Sequence, residues 1–203
     1  MKDLRTSVSL VALVLGWLSV ALPAAAQDTP KADVSAGYQV IGLTGDIDET
    51  LVKGWYVDIA GNVTSLLGIV FELGGDYKSI DESFTTGGVT ATATADLSVH
   101  QFMGGVRFNL RPNPTVTPYG QFLVGAVRGA ADVSTSVTGN GEVLFSGSDA
   151  LSSTNFGLQT GGGIDLRITN RIGIRAGADY LRIFEEDAGA NAFRFAVGVV
   201  FPF

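Results

Sequence analysis

The sequence predicts an all-β fold, an eight-stranded antiparallel up-and-down transmembrane β-barrel with short turns at one end and longer loops at the other. Three features of the 203 residues favour this fold. Bulky apolar residues alternate with small or polar ones in eight segments, and the connections between the segments alternate in length. The face opposite the apolar residues consists mainly of glycine, alanine and a few charges. These features are typical of strands that cross a bilayer at a tilt.

The composition excludes several classes of function. Charged residues make up 16% of the chain, whereas about 25% is usual in a soluble domain. The chain has no cysteine, which excludes disulfides, thiolate catalysis, cysteine-ligated metals and a lipid anchor on cysteine. A net charge of −7, without any cluster of lysine and arginine, argues against nucleic acid as a partner.

The first 26 residues are predicted to be a cleaved secretory signal peptide. Lys2 and Arg5 precede the apolar run Val8–Val20, and Ala24–Ala26 provide small residues for cleavage. The alternative is a membrane-anchor helix, but the run is shorter than the roughly 20 apolar residues that a span needs. We therefore expect cleavage after the last of these alanines, which leaves residues 27–203 as the barrel.

The eight strands are predicted from the alternation, because no later apolar stretch is long enough for a membrane helix and only a closed barrel then satisfies the backbone. In chain order they are Asp33–Gly42, Gly54–Val63, Leu67–Tyr77, Leu97–Leu110, Thr117–Ala130, Phe156–Ile168, Ile172–Ile183 and Phe193–Phe203. The first and fifth alternate weakly. The bulky residues on one face of the other six include Trp55, Val57 and Ile59; Ile69, Phe71 and Leu73; Phe102, Val106 and Phe108; Phe156, Leu158 and Ile164; Ile172 and Ile174; and Phe193, Phe195, Val197 and Val199.

The composition of the two faces distinguishes a membrane barrel from a soluble sheet. In a soluble antiparallel sheet the bulky apolar face would form the core and the other face would meet water. Here the second face is largely glycine and alanine, which suits the narrow lumen of an eight-stranded barrel better than it suits solvent. We therefore expect the bulky residues to face lipid and the small and charged residues to line the lumen.

The connections between the predicted strands alternate in length. The short ones are Thr64–Leu66, Arg111–Val116 and Thr169–Arg171, and the longer ones are Leu43–Lys53, Ser79–Asp96, Ala131–Ser153 and Glu185–Asn191. In bacterial outer-membrane barrels short turns are periplasmic and longer loops are extracellular. Thr and Ala alternate in Val89–Ala95, and Thr138–Gly141 contains a hairpin-turn signal. The two long connections that contain these stretches, Ser79–Asp96 and Ala131–Ser153, are therefore either continued strands or solvated loops.

Three stretches resemble a known group. They are the strand Gly54–Asn62, the strand opening Thr117–Gly120 and the terminal Val199–Phe203. The mature chain resembles the small outer-membrane β-barrel family that includes the membrane domain of OmpA and the OmpX, Ail and opacity-type proteins. The resemblance implies a location in the bacterial outer membrane, and it implies that Phe201 and Phe203 form the signal read by the outer-membrane assembly machinery. The chain ends at the barrel, without the peptidoglycan-binding domain of OmpA, so no cell-wall tether is expected.

Charged residues on the predicted inner face form a candidate network. They are Asp58, Glu72, Asp76, Arg107, Asp165, Arg167, Arg175, Asp179 and Arg194. The short turns place Asp165 opposite Arg175 and Asp58 opposite Glu72, and two carboxylates directly opposite each other need a cation between them. Arg107, on the next strand, is the candidate for that cation. Because eight strands leave little open bore, we expect these charges to close the lumen rather than to form an ion path.

The predicted function is a structural or surface-interaction, adhesin-like role. The alternative is a small-solute pore, and a third possibility is a lipid-modifying enzyme that uses His100 with Ser98. One Ser-x-His without a third member is weak evidence for a catalytic triad, so no catalytic, cofactor-binding or metal-binding residue is assigned. The expected partners are outer-membrane lipid, the assembly machinery and an extracellular ligand that the long loops would bind.

Overall fold

The barrel is closed. The computed structural model describes residues 29–44, 49–111, 115–139, 142–185 and 189–203. Its strands are β1 (Ala32–Thr44), β2 (Glu49–Asn62), β3 (Leu67–Thr86), β4 (Val89–Asn109), β5 (Val116–Gly139), β6 (Glu142–Arg167), β7 (Gly173–Phe184) and β8 (Gly189–Pro202). Each strand pairs antiparallel with the next, and β8 pairs with β1. The predicted fold class is therefore confirmed.

The predicted signal peptide lies outside the described residues. Within the described part of the chain, no helix is long and apolar enough to span a membrane.

The residues predicted to face lipid point away from the barrel axis. Phe71 is 68% exposed and Phe195 is 63% exposed, while their strand neighbours Val70 and Arg194 are 0% and 3% exposed. Period-two alternation places successive side chains on opposite sides of the barrel wall. Because the outer side chains are large and apolar, this surface suits hydrocarbon and forms the band that meets the bilayer.

At the periplasmic end, two short turns are each held by a threonine. The Thr64 hydroxyl accepts hydrogen bonds from the backbone N–H groups two and three residues further on, at 3.2 and 2.9 Å. The Thr169 hydroxyl does the same, at 3.2 and 3.1 Å. Ser and Thr favour such turns because the side chain satisfies the backbone donors locally. Both turns lie where the sequence predicted them.

The terminal strand accommodates Pro202 without losing a ladder hydrogen bond. The N–H of Phe203 donates to the carbonyl of Ala32 at 2.8 Å, so it points toward β1. Successive backbone nitrogens of a strand point to opposite sides, and the nitrogen of Pro202 therefore faces β7. The pairing between β7 and β8 ends at Val200. Proline has no backbone N–H to donate, and no described strand pairs with β8 on that side of Pro202, so no hydrogen bond is lost.

Four strands rise above the others on the extracellular side. β3 and β4 continue to a tight turn at Gly87 and Gly88, whose φ values of 57° and 82° favour glycine. β5 and β6 have 24 and 26 residues, whereas β1, β2, β7 and β8 have 12 to 14. The connections Ser79–Asp96 and Ala131–Ser153 are thus continued strands rather than loops. The turn residues 140–141 lie outside the described residues. We call this projecting sheet, residues 78–97, 131–139 and 142–151, the wall.

Candidate functional site

Three arginines fill the periplasmic half of the lumen. Arg107, Arg175 and Arg194 project from the inner face of the barrel, and each is at most 3% exposed. A buried guanidinium is stable only when carboxylates and hydrogen-bond acceptors surround it. The acceptors come from six strands, so the arginines connect opposite sides of the barrel.

The lower cluster is centred on Asp58 of β2. Arg107 donates to its two carboxylate oxygens at 3.2 Å each, and Arg175 donates to the same oxygens at 2.9 Å. Arg175 also binds Asp165 at 2.7 Å and Asp33 at 3.0 Å. The Tyr119 ring lies beside both guanidinium groups, 4.8 Å and 5.1 Å from their central carbons. The six side chains that meet here come from six different strands.

The upper cluster is centred on Arg194 of β8. Its guanidinium binds Glu72 at 2.5 Å and Asp179 at 2.6 Å, and it also donates to the amide oxygen of Gln39 at 3.0 Å. Gln121 connects the two clusters, because it donates to Asp179 at 3.0 Å and accepts from Arg107 at 2.8 Å. The clusters therefore form one continuous hydrogen-bonded network across the barrel.

The register places two of the predicted pairs opposite each other. Asp58 faces Glu72, and Asp165 faces Arg175. The prediction that Arg107 lies between Asp58 and Glu72 needs correction, since Arg107 binds Asp58 while Arg194 binds Glu72. The register explains the difference. Glu72 faces Met103 on β4, whereas Arg107 faces Gly68, nearer the periplasmic end of β3.

The two remaining predicted charges lie outside the arginine clusters. Asp76 is fully buried and accepts hydrogen bonds from the amides of Gln39, at 2.7 Å, and Gln101, at 3.3 Å. Arg167 lines a small cavity at the periplasmic mouth together with Asp33 and Asp165. All nine predicted residues thus face the lumen or its mouth.

Several members of the network were not predicted. Asp33, Ser35 and Gln39 of β1 and Gln121 of β5 are buried and hydrogen-bonded to the charges. These residues lie on the two strands whose alternation is weak, so the inner face of those strands was not assigned. The signal was present, because Asp33, Ser35 and Gln39 share one face of an alternating strand.

His100 and Ser98 are not joined by a hydrogen bond. Both lie on the outward face of β4, opposite Gly75 and Tyr77 of β3. The hydrogen bond of the His100 ring is with the Tyr77 hydroxyl, at 3.1 Å, and the two rings meet edge to face. Among the described residues, no group of three or more His, Asp or Glu side chains is placed to hold a metal ion.

The wall has two chemically different faces. The face that continues the outside of the barrel is hydroxylic and acidic, with rows such as Ser83, Thr92, Ser136 and Ser146, and Asp81, Thr94, Ser134 and Ser148. The face that continues the lumen carries the large apolar side chains Ile80, Phe84, Val133, Val137 and Phe145, together with the charged residues Lys78, Glu82 and Asp149. This separation explains the alternating Thr and Ala of β4, since each residue type has its own face.

The wall also has two free edges. Pairing between β2 and β3 ends at Tyr77, and pairing between β6 and β7 ends at Phe156. Beyond these pairs the outer backbone groups of Ser79–Thr86 and Glu142–Asn155 have no partner strand among the described residues. A free strand edge carries unpaired N–H and C=O groups that another chain can pair with.

Comparisons with known proteins agree with this architecture. The family model described as "Outer membrane protein beta-barrel domain" matches residues 10–201. The solved structure of Ail, the attachment invasion locus protein of Yersinia pestis, in complex with the heparin analogue sucrose octasulfate has 20% identity and a TM-score of 0.59, covering 85% of this chain and 97% of Ail. Neisserial surface protein A has 12% identity and a TM-score of 0.51, covering 85% and 97%.

These two likenesses concern the fold, because the identities are low. No curated sequence matches the chain at a significant level. The family model, by contrast, spans nearly the whole sequence. The chain therefore belongs to the outer-membrane β-barrel family and is a protein of the bacterial outer membrane.

Proposed function

We propose that this protein is a non-catalytic surface-interaction barrel, adhesin-like, whose lumen is closed and whose wall binds a partner by strand addition. The observation that carries the proposal is the free edge of β6, Glu142–Asn155, which stands above the barrel where an extracellular partner reaches it. In strand addition, backbone hydrogen bonds provide affinity and alternate side chains provide specificity.

The closed lumen supports an interaction role over the alternative of a small-solute pore. Arg107, Arg175 and Arg194 extend across the bore and meet carboxylates from opposite strands. A solute path would require these paired, buried side chains to separate. Breaking such a buried pair is costly, about 3–5 kcal/mol when one partner is removed.

The edge of β6 is chemically suited to strand addition. Natural proteins protect free edges with lysine, proline or inward-pointing charges. Glu142–Asn155 contains neither lysine nor proline, and its charged residues are Glu142 and Asp149. The other free edge, Ser79–Thr86, is shorter, follows Lys78 and carries Asp81 and Glu82, so charges lie closer together along it. Of the two edges, that of β6 is longer and has fewer charges for its length, so it is the more open to pairing.

The charge of the wall limits the kind of partner. Lys78 is its cation, and its acidic residues are Asp81, Glu82, Asp96, Asp132, Glu142 and Asp149. Ail has been solved with a heparin analogue, which is a polyanion. An acidic wall repels polyanions. We therefore propose an extended, uncharged or basic peptide segment as the partner.

The test uses a labelled peptide with the uncharged sequence of residues 133–139, which pairs with the opposite edge of β6 in the native sheet. The full barrel is reconstituted in nanodiscs, and peptide binding is measured by fluorescence anisotropy and by hydrogen exchange of the β6 amides. We expect saturable binding that slows exchange in Glu142–Asn155. Residues 133–149 are then replaced by Asn-Gly, a turn that suits a two-residue hairpin, and this variant should lose binding.

The matched control shortens the other hairpin of the wall. Replacing residues 81–94 by Asn-Gly leaves the edge of β6 in place, so binding of the peptide should persist. Both variants are first shown to be folded by their heat-modifiable mobility on electrophoresis. Absence of binding to the unmodified barrel, or equal binding by both shortened variants, would overturn the proposal.

A further inference from the structure

The lumen consists of two layers that differ in polarity. Below lies the arginine network. Above it the inner face becomes apolar, with a buried cluster that includes Ile41, Leu51, Val99, Val127, Leu181 and Ile183. Within the part of the barrel that the structure describes, the nine predicted lumen charges lie at or below the lower boundary of this apolar layer. The barrel therefore ends, on the extracellular side, in an apolar interior.

A cavity of about 350 Å³ opens above this apolar layer. We call it the cup. Its side chains come from both sides of the barrel and include Leu43, Leu51, Leu97, Val99, Val127 and Ile183. Sites for small molecules are concave, mostly apolar and about 300–1,000 Å³ in volume. The cup lies at the lower end of that range, which suits one narrow ligand.

The cup continues upward onto the inner face of the wall, whose large exposed side chains are apolar. Leu151, on the lining of the cup, is 70% exposed, and Phe84 and Phe145 above it are 69% and 59% exposed. These residues stand outside the lipid-facing band, on the side that faces the barrel axis. An extended apolar surface in that position indicates binding of an apolar ligand. The wall provides a path by which such a ligand reaches the cup.

The floor of the cup is closed. Leu51, Val127 and Leu181 are at most 2% exposed, and the ion pairs of Arg194 with Glu72 and Asp179 lie beneath them. A hydrocarbon chain could pass this floor only by separating the ion pairs beneath it. Separating them would leave buried charges without partners, which is costly. The cup is therefore a blind site that holds a ligand and does not conduct it.

The polar groups of the cup lie at its rim. Ser153 and Asn155 line one side, and Glu185, which is exposed, is the charged residue of the lining. A polar rim over an apolar interior matches an amphiphile whose chain points inward and whose headgroup stays at the mouth. Because Glu185 is anionic, a neutral or cationic headgroup fits better than a carboxylate.

From this geometry we infer that the cup binds a single-chain aliphatic amphiphile that enters from the extracellular side. The inference does not depend on the strand-addition role of the wall. Burial of each further methylene contributes about 0.8 kcal/mol, which corresponds to about a fourfold increase in affinity per carbon. The affinity should rise with chain length until the chain fills the cup and should then level off.

The test titrates dodecylamine, dodecanol and dodecanoate into the full barrel in nanodiscs, with leucine and valine methyl groups labelled for NMR. Binding in the cup should shift the methyl signals of Leu51 and Val127 in a saturable way. Partition into the bilayer should instead shift Val124, which faces lipid, and should not saturate. We expect dodecylamine to bind most tightly and dodecanoate most weakly, and Glu185→Gln should reduce the difference between them.

A filled cup provides the decisive variant. Gly129 lines the cup, and a Cβ added there meets no atom within 4 Å. Gly129→Phe should therefore fold and abolish the saturable shifts. Gly61 has the same open space outside the cup, so Gly61→Phe should leave them unchanged. Shifts confined to Val124, or saturable shifts that survive Gly129→Phe, would overturn the inference.

Discussion

Asp58 shows how a buried carboxylate is paired inside this barrel. Its oxygens accept hydrogen bonds from the Ser35 hydroxyl, at 2.6 Å, and from the guanidinium groups of Arg107 and Arg175. Charge-assisted hydrogen bonds are about twice as strong as neutral ones. Asp76, by contrast, is bound by two amides. The strongest hydrogen bonds of the lumen are therefore those that the arginines donate to the carboxylates they share.

Tyr119 packs against two of these arginines because Gly177 leaves room for its hydroxyl group. A Cβ at Gly177 would lie 2.6 Å from that oxygen and 3.7 Å from the ring carbon that bears it. Gly177→Ala should therefore lower the free energy of unfolding by about 1–3 kcal/mol, the usual cost of overpacking. Urea unfolding of the refolded barrel in lipid measures the change.

The same contact predicts a specific rescue. Tyr119→Phe removes the oxygen and leaves the ring, so Gly177→Ala should cost little in the Tyr119→Phe background. The coupling between the two substitutions should reach about 0.5–3 kcal/mol. Equal destabilisation in both backgrounds would show that the alanine acts through the backbone of β7 rather than through Tyr119.

At the residue scale, the faces of the charges could be predicted from the sequence but their partners could not. Alternation determines the side of the sheet, and the short turns determine the neighbours across one hairpin, such as Asp165 and Arg175. The bond between Arg194 and Glu72 joins β8 to β3 across the lumen. This pairing depends on the stagger between the strands of the closed barrel and on the length of the arginine side chain. Neither can be read from the alternation of residues along one strand.

At the scale of the strand, β8 combines a lipid-facing surface with the predicted assembly signal. Phe201 and Phe203 are 40% and 70% exposed, and the backbone of Phe203 closes the barrel against Ala32. Phe203→Ala removes the ring and keeps these backbone bonds. We therefore expect less folded protein in the outer membrane of cells, but normal refolding in vitro, as measured by heat-modifiable electrophoresis of both samples.

The control for this prediction is Phe108→Ala on β4. Phe108 is also a lipid-facing phenylalanine, 48% exposed, but it lies far from the C-terminus. Its replacement should leave the amount of folded protein in cells unchanged. If both variants assemble equally well in cells, the terminal phenylalanine does not act as a signal.

The wall marks the limit of prediction at this scale. The alternation of β4 and the turn signal after Thr138 indicated strands there, but the same residues are also typical of solvated loops. These residues form strands because they pair with a neighbouring strand, as Thr92 does with Ser136. Such pairing joins distant parts of the chain, so the local sequence left both alternatives open.

At the scale of the whole molecule, the layered lumen predicts an electrically silent barrel. The paired arginines close the lower half and the apolar layer closes the upper half. Refolded residues 27–203 should therefore give no steady single-channel openings in a planar bilayer. A protein of known conductance, inserted under the same conditions, controls for the bilayer. Steady and reproducible openings by folded protein would make the pore the leading function.

The network also constrains the order in which the chain enters the membrane. Arg175 has a carboxylate 10 residues away in Asp165, yet its partner Asp33 is 142 residues away. Arg194 likewise has Asp179 at 15 residues and Glu72 at 122. A half-inserted ribbon would hold its arginines in hydrocarbon with only the local partner. Insertion and closure are therefore coupled, and partly inserted chains should be too unstable to accumulate in the bilayer.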